Sequence, residues 1–125
     1  MARLRLRLSV AAQDDIADLL AWTARRFGAR ARARYAALLA AALADLAADP
    51  ARPASAPRPE LGAGVRSYHL RHSRKRGRTE DAPVGRPRHV VLYRTDPAGT
   101  VEVGRILYDA MELERHLPFV RPDDD

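Results

Sequence analysis

The sequence predicts a single α+β domain in which a helical hairpin packs against one face of a sheet. One strand pattern precedes two consecutive amphipathic helix patterns, and three further strand patterns follow the helices. Strands that come after a run of helices are typical of α+β folds, in which the helices gather on one side of the sheet. A length of 125 residues is enough for one domain with one modest core.

The N-terminal half carries the first strand and both helices. Residues 3–8 alternate Arg with Leu, which predicts a half-buried strand with its leucines on one face. Ser9 follows where a helix N-cap is preferred, and apolar residues at helical spacing lead from there to Gly28, a residue that favours a helix end. Residues 30–48 repeat the helical spacing up to Asp49-Pro50, which ends the second helix. The short connection predicts an antiparallel hairpin.

The C-terminal half carries three strands. Four prolines between residues 50 and 59 predict an irregular, extended connection from the helices to the sheet. The strand patterns at Val65–Arg71, His89–Thr95 and Val101–Leu107 then predict a three-stranded antiparallel meander that forms one curved sheet. Gly104 interrupts the alternation of the last strand and predicts a β-bulge.

Two segments outside the sheet are predicted, one as a mobile loop and the other as a short helix. Residues 73–88 are basic and lack apolar periodicity, which predicts a mobile basic loop inserted between two strands. The segment that starts at Asp109 has the spacing of an acidic capping box and predicts a short C-terminal helix over Met111–Leu117. The domain is therefore expected to span residues 1–118, with residues 119–125 as a disordered acidic tail.

The composition favours an acidic partner and gives no sign of a bound cofactor. The net charge is +6 and nearly all cations are arginine, so a nucleic acid or an acidic protein is the expected class of partner. The absence of cysteine excludes disulfides and thiolate metal sites, and no spacing of His, Asp or Glu resembles a metal site. No apolar run approaches the roughly 20 residues that span a bilayer, and the Arg–Leu start is unlike a signal peptide. We therefore expect a cytoplasmic protein with no membrane contact, metal or cofactor.

Several single residues are candidates for partner contact. Arg105 lies mid-strand among apolar residues, where an unpaired charge is costly, so it either pairs with Asp15 or Asp18 or lines a face that a partner covers. Trp22 lies at the margin of its helix's apolar stripe, either as the edge of the core or as an exposed anchor for a partner. Five arginines surround the tip of the hairpin, namely Arg25, Arg26, Arg30, Arg32 and Arg34. They form either a solvated basic face or a docking surface for an acidic partner.

Short sequence segments distributed along the chain resemble those of a known family in their order and spacing. They are Leu8-Ser9 with Ala12 and Asp15, Leu46 to Pro50, Glu60-Leu61 with Gly64 to Tyr68, His89 to Arg94, Val103 to Leu107 and Met111 to Leu117. Together they are spread over nearly the whole chain from Leu4 to Leu117 and resemble toxins of the RelE/ParE superfamily, nearer to its ParE branch. The resemblance implies a RelE/ParE-like fold and a toxin of a type II toxin–antitoxin system.

The resemblance also implies partners and targets. The C-terminal segment of a cognate antitoxin would wrap over the toxin's helical hairpin and sheet, and the toxin is expected as a homodimer or within a toxin–antitoxin heterotetramer. A ParE member would bind and inhibit DNA gyrase and serve the maintenance of a plasmid or chromosomal locus. The alternatives are a RelE-type endoribonuclease that cuts messenger RNA on the ribosome, and a non-toxic module that only binds an antitoxin.

The residues predicted to bind the antitoxin or the target lie on the hairpin and the sheet. They are Arg66, Arg94, Arg105, Tyr93, Tyr108, Trp22, Arg30 and Arg34. Cleavage of RNA would also need a general base; arginine stays protonated, and none of His69, His72 and His89 has a spacing that singles it out, so no catalytic residue is assigned. Two departures from the family pattern bear on the target. The long basic segment 73–88 replaces a turn that is short in most members, and Tyr108 stands where many members have His.

Overall fold

The computed structural model describes residues 3–78 and 82–119 and confirms the predicted α+β class. Five strands form one sheet in the order β1-β5-β4-β3-β2, and both helices pack on the same face of it. The elements in chain order are β1 (Leu6–Leu8), α1 (Val10–Phe27), α2 (Ala29–Ala48), β2 (Ala56–Pro57), β3 (Arg66–His69), β4 (His89–Thr95) and β5 (Val101–Tyr108). The sheet therefore has one strand more than the sequence predicts.

The helical hairpin is confirmed, and local interactions explain where its helices begin and end. Ser9 caps α1, since its Oγ accepts the N–H of Ala12 at 2.9 Å and donates to the carbonyl oxygen of Gly104 at 2.8 Å. Gly28, with a φ of +95°, is the single residue between the helices, in a conformation that L side chains rarely adopt. The apolar side of α2, from Tyr35 to Leu46, fills the core against the sheet.

The pairing of the strands confirms the meander and adds an edge strand. β3, β4 and β5 pair antiparallel in succession, and β1 pairs parallel with β5. β1 begins at Leu6 instead of at residue 3. Residues 50–59 are predicted as an irregular, extended connection, and within it Ala56 and Pro57 pair with β3 to form a short strand, β2, that the sequence does not predict. Proline is tolerated there because β2 lies at the edge of the sheet.

The ladder between β4 and β5 confirms the predicted bulge. Leu92 pairs with Arg105, whereas the next residue of β4, Tyr93, pairs with Val103. Gly104 is therefore left without a partner residue in this ladder, as the broken alternation of the sequence indicates.

β3 ends at His69, and the prediction that this strand extends to Arg71 is wrong. The Nδ1 atom of His69 accepts the backbone N–H of Arg71 at 3.1 Å, so the chain turns out of the ladder. Leu70–Ser73 form a turn of 3-10 helix that carries the chain towards α2.

The inserted segment packs against α2 at both of its ends, where the sequence predicts a mobile loop over residues 73–88, and residues 79–81 lie outside the described residues. The Oγ atom of Ser73 donates to Asp45 Oδ2 at 2.6 Å. A side chain at Gly77 would collide with the backbone of Leu38 on α2. At the other end of the segment, the backbone N–H of Arg88 donates to the hydroxyl of Tyr35 on the same helix.

The C-terminal segment covers part of the sheet face opposite the helices. A second small core lies there, formed by Leu61, Val65, Val90, Leu92 and Leu107. Leu113, Leu117 and Phe119 pack onto it, and the guanidinium carbon of Arg94 lies 3.8 Å from the ring centroid of Phe119. Phe119 is therefore packed on the domain, whereas the rest of the predicted tail, residues 120–125, lies outside the described residues.

The prediction of a C-terminal helix over Met111–Leu117 is wrong. A single turn of 3-10 helix, Leu113–Arg115, forms instead, and no side chain caps its start. Asp109, the predicted capping residue, instead accepts hydrogen bonds from His69 and Arg88 on its carboxylate.

Candidate functional site

The tip of the helical hairpin exposes two aromatic rings. Trp22 and Phe27, both on α1, are 51% and 64% exposed. Their rings meet edge to face with centroids 5.7 Å apart, an arrangement that stabilises both rings. Large aromatic side chains are common anchors of protein interfaces. Trp22 is therefore exposed, as one of the two hypotheses for it requires, and Phe27 is a second candidate anchor beside it.

The same tip concentrates positive charge. Five arginines lie between residues 25 and 34, and no acidic residue occurs from residue 19 to residue 44. The first two end α1, where cations suit the helix dipole. The other three begin α2, where positive charge opposes the dipole at roughly a few tenths of a kcal/mol each. We refer to the two aromatic residues and these five arginines as the hairpin tip.

Arg105 forms an ion pair with Asp15, one of the two carboxylates that the sequence predicts as alternative partners. Its Nε and Nη2 atoms lie 2.8 and 2.9 Å from the carboxylate oxygens of Asp15 on α1. The same carboxylate accepts the backbone N–H of Ile106 at 2.9 Å, beyond the last residue of β5 that pairs with β1. Hydrogen bonding to Asp15 raises the pKa of Arg105. This cation therefore serves to hold α1 against β5.

Tyr93 and Arg66 brace the connection between α2 and β2. The side chain of Tyr93 is buried, and its hydroxyl hydrogen-bonds Ser55 and donates to the carbonyl oxygen of Pro50 at 2.6 Å. Arg66 donates from Nε to Ser55 Oγ at 2.8 Å and from Nη2 to the Ser55 carbonyl oxygen at 3.2 Å. Tyr93 is thus a core residue, and Arg66 is held against the chain beside it.

Arg94 and Tyr108 lie at opposite ends of the β4–β5 ladder. Arg94 rests on the ring of Phe119 and lies 3.6 Å from Glu102. Tyr108 is 40% exposed, and the guanidinium carbon of Arg88 lies 4.9 Å from its ring centroid. These two candidates therefore cannot contribute to one compact site.

The residues predicted to bind a partner thus do not converge on a single surface. Trp22, Arg30 and Arg34 share the hairpin tip. The other five, Arg66, Arg94, Arg105, Tyr93 and Tyr108, are spread over three strands. All five contact other side chains of the same chain and so contribute to the packing of the fold.

An arginine-lined cleft lies where the inserted segment meets the sheet, and the predicted binding residues do not include it. Two adjoining concavities of about 450 and 650 Å³ share His69, Arg71 and Asp109. The larger one adds Arg74, Gly85, Arg86, Pro87 and Arg88, and we call the residues that line it the insertion cleft. The signal in the sequence is an excess of seven Lys and Arg over two acidic residues between positions 71 and 88. Only the fold shows which of these cations share a cleft.

The charge of the insertion cleft is positive because its carboxylate is already compensated. Asp109 accepts hydrogen bonds from His69 Nε2 at 2.9 Å and from Arg88 Nη2 at 3.1 Å. Burial alone would raise the pKa of Asp109, but these hydrogen bonds outweigh it and lower the pKa. Arg71 and Arg86 have no carboxylate partner among the residues that the structure describes.

The histidines differ in their freedom to accept a proton. His69 uses both ring nitrogens in hydrogen bonds. The Nδ1 atom of His89 hydrogen-bonds the hydroxyl of Tyr35 at 2.6 Å, and burial lowers the pKa of His89 to about 4. His72 lines the smaller concavity without a hydrogen-bond partner among the described residues, and burial together with the charge of Arg71 lowers its pKa.

Two further observations apply to residues 3–78 and 82–119 alone. No group of three or more His, Cys, Asp or Glu side chains is placed to hold a metal ion. Neither helix is both long and apolar enough to cross a bilayer.

Comparison with known proteins now places the chain. The family model described as the ParE toxin of the type II toxin–antitoxin system parDE matches residues 6–113. The chain belongs to the ParE toxin family. Its predicted place in the RelE/ParE superfamily, as a toxin of a type II toxin–antitoxin system, is thereby confirmed.

The fold of this ParE family toxin also resembles a solved structure. A chain in the crystal structure of the toxin–antitoxin complex RelBE2 from Mycobacterium tuberculosis is 25% identical to it, with a TM-score of 0.55. The similarity covers 89% of the toxin and 97% of that chain, which confirms the RelE/ParE-like fold. A search among curated proteins gives no match.

Proposed function

We propose that this toxin acts by binding and inhibiting DNA gyrase, and that a cognate antitoxin neutralises it by covering the same surface. The observation that carries the proposal is the hairpin tip, where Trp22 and Phe27 stand exposed among arginines. Burial of these aromatic rings against a partner would stabilise a complex, and the surrounding cations favour an acidic partner. The proposal includes a cytoplasmic location, where gyrase acts on DNA, and a role in maintaining a plasmid or chromosomal locus.

The arrangement of His69 and His89 supports inhibition by binding over cleavage of a bond. Cleavage needs a side chain that can accept a proton from the attacking group. Both ring nitrogens of His69 are engaged, and His89 is largely buried behind Tyr35. Arginine stays protonated near neutral pH and is a poor base. Inhibition by binding requires only complementary charge and apolar area, and the hairpin tip has both.

An antitoxin segment that carries acidic residues and apolar anchors would suit the hairpin tip. The similar RelBE2 structure is a toxin–antitoxin complex, which supports a toxin–antitoxin pair here as well. Arg25, Arg26 and Arg32 have no carboxylate partner among the described residues, so carboxylates of an antitoxin can pair with them. An antitoxin that buries Trp22 and Phe27 would compete with gyrase for the same side chains.

A gyrase supercoiling assay with purified toxin tests this proposal. Truncation of both rings, Trp22→Ala with Phe27→Ala, is expected to weaken inhibition at least about tenfold, since two anchors at an interface typically contribute more than about 1 kcal/mol each. Val10→Ala is the matched control, because Val10 is an exposed apolar residue at the other end of α1. Normal supercoiling in the presence of excess wild-type toxin would exclude gyrase as the target.

One observation favours a second candidate, RelE-type cleavage of messenger RNA on the ribosome. His72 lies in a cleft beside Arg71, and its lowered pKa keeps the imidazole neutral near pH 7 and able to accept a proton. A translation reaction that is read for cleaved messenger RNA tests this candidate. Cleavage by the wild type that is abolished in His72→Gln would support it, and intact messenger RNA with the wild type would exclude it.

A further inference from the structure

We propose that the insertion cleft is a binding site for the phosphate groups of a polynucleotide backbone. The site is built on the long insertion, which replaces the short turn that the family resemblance implies. The proposal goes beyond gyrase inhibition and does not depend on it, because no residue of the cleft belongs to the hairpin tip.

The N-terminal arm of the insertion is fixed to α2 through a buried carboxylate. Asp45 is 1% exposed, and its Oδ2 atom accepts the hydroxyl of Ser73 at 2.6 Å. Its Oδ1 atom makes no hydrogen bond of good geometry, but it lies 2.5 Å from Arg76 Nη1 and 3.6 Å from Arg52 Nη1. Two cations therefore compensate the buried charge. The hydroxyl of Tyr68 on β3 also hydrogen-bonds Ser73, at 2.7 Å, so this arm has a fixed position.

The C-terminal arm is fixed to the same helix. The hydroxyl of Tyr35 accepts the backbone N–H of Arg88 at 3.1 Å and hydrogen-bonds His89 Nδ1 at 2.6 Å. Arg74 connects the two arms, since its Nε donates to the carbonyl oxygen of Val84 at 2.6 Å. The walls of the cleft are therefore held in place before a ligand arrives, which lowers the entropic cost of binding.

The cleft presents more positive than negative charge to a ligand. Arg71 and Arg86 come from opposite arms, are exposed, and have no carboxylate partner among the described residues. Asp109 is compensated by His69 and Arg88, so its carboxylate does little to repel an anion. A guanidinium group can donate two parallel hydrogen bonds to the oxygens of one phosphate. Cations on both walls suit a ligand with several phosphates.

The lining of the cleft favours a polynucleotide over an acidic protein. Protein interfaces draw most of their affinity from a few large apolar or aromatic anchors. The lining contains no aromatic side chain apart from the engaged His69, and its apolar residues are Gly85 and Pro87. Phosphate contacts need no such anchor, because they come mainly from arginine, lysine and backbone N–H groups.

A direct binding measurement with labelled oligonucleotides tests the proposal on the full-length toxin. The probes are a single-stranded RNA, a DNA of the same sequence, its duplex and a polyglutamate peptide of similar charge. Arg71→Ala with Arg86→Ala is expected to weaken binding of the preferred oligonucleotide about tenfold near 0.1 M salt. The slope of log affinity against log salt concentration should become shallower by about 0.7–0.9 for each phosphate that the variant no longer neutralises. The matched control is Arg25→Ala with Arg26→Ala, which removes the same charge at the hairpin tip.

Each outcome bears on the proposal. Weaker binding in the cleft variant alone supports it, and the preferred probe then tells whether RNA or DNA is the source of the phosphates. Equally weakened binding in both double variants would show a response to net charge alone and would overturn it. Binding of polyglutamate as tightly as of oligonucleotides, or no oligonucleotide binding by the wild type, would also overturn it. Failure here leaves the supercoiling assay unaffected, so the two proposals fail separately.

Discussion

The hairpin tip and the insertion cleft are both rich in arginine, and they present that charge in different surroundings. At the tip, five arginines flank two exposed rings on helices that meet at a single glycine. In the cleft, four arginines line walls that hydrogen bonds hold to α2, with no large apolar side chain among them. The side chains around an arginine, more than the number of arginines, thus indicate which ligand a basic surface fits.

A third group of arginines forms bonds within the protein. Arg105 forms a two-point ion pair with Asp15, and Arg66 donates twice to Ser55. The sequence makes both of them candidates for partner contact, because they lie on strands of an apolar sheet. Their geometry indicates instead that the donors of a guanidinium group within a sheet are satisfied by acceptors of the same chain, a carboxylate for Arg105 and neutral oxygens for Arg66.

The largest expected effect is on the anchor of the insertion. Asp45→Ala removes the buried acceptor of Ser73 and the counter-charge of Arg76, and it should lower the free energy of unfolding by about 3 kcal/mol. Urea unfolding measures this change. Asp18→Ala, at an exposed position of α1, should change stability by less than about 0.5 kcal/mol. Similar decreases in both variants would show that the insertion is not anchored through Asp45.

The pH dependence of stability distinguishes the insertion cleft from the hairpin tip. A largely buried histidine, His89, adjoins the cleft, and the tip contains no histidine. Burial lowers the pKa of His89 from 6.5 to about 4. The unfolded chain therefore binds this proton at higher pH than the folded chain, so stability is full above about pH 6.5 and falls as the pH drops towards 4. The expected decrease is about 2 kcal/mol, somewhat below the value for the full shift because burial is incomplete.

Urea unfolding at a series of pH values measures this decrease. His89→Gln removes the titrating group, while its amide oxygen can still accept the hydroxyl of Tyr35. The variant should show a shallower decline below pH 6.5 than the wild type. Parallel pH profiles for the two proteins would contradict the assignment of the decline to His89.

The smallest expected effect on stability is at the hairpin tip. Trp22→Ala should lower the free energy of unfolding by no more than about 0.5 kcal/mol, because half of the side chain is in water and its aromatic neighbour is exposed too. Thermal or urea unfolding checks this value. A decrease above about 2 kcal/mol would place Trp22 in the core and remove the contrast between the two regions.

The sequence predicts the parts of this fold that depend on local patterns. The Leu6–Leu8 part of the Arg–Leu alternation, the Ser9 cap, the helix end at Gly28 and the bulge at Gly104 are confirmed, because each follows from spacing or from one residue's conformational preference. Local patterns do not report long-range competition. Asp109 has the spacing of a cap, but side chains distant in sequence take its carboxylate, and the predicted helix does not form.

The candidate site is harder to predict than the fold. Tyr93 is a polar aromatic residue on a strand, and only the structure shows that its hydroxyl is engaged by Ser55 and Pro50. Trp22 and the arginines of the tip follow from helical spacing and are confirmed as exposed or partly exposed neighbours. The insertion cleft forms only because the inserted segment packs against α2 before it enters β4, and no local sequence pattern encodes that contact.

Gly104 joins three parts of the chain that are far apart in sequence. Its carbonyl oxygen accepts the hydroxyl that caps α1, and a methyl group on its Cα would collide with the carbonyl oxygen of Pro118. Substitution by alanine would therefore force the C-terminal segment away from β5. The leucines beneath Leu117 and Phe119 would then face water, and two such molecules could bury them against each other. The absence of a side chain at this one position thus bears on whether the toxin self-associates.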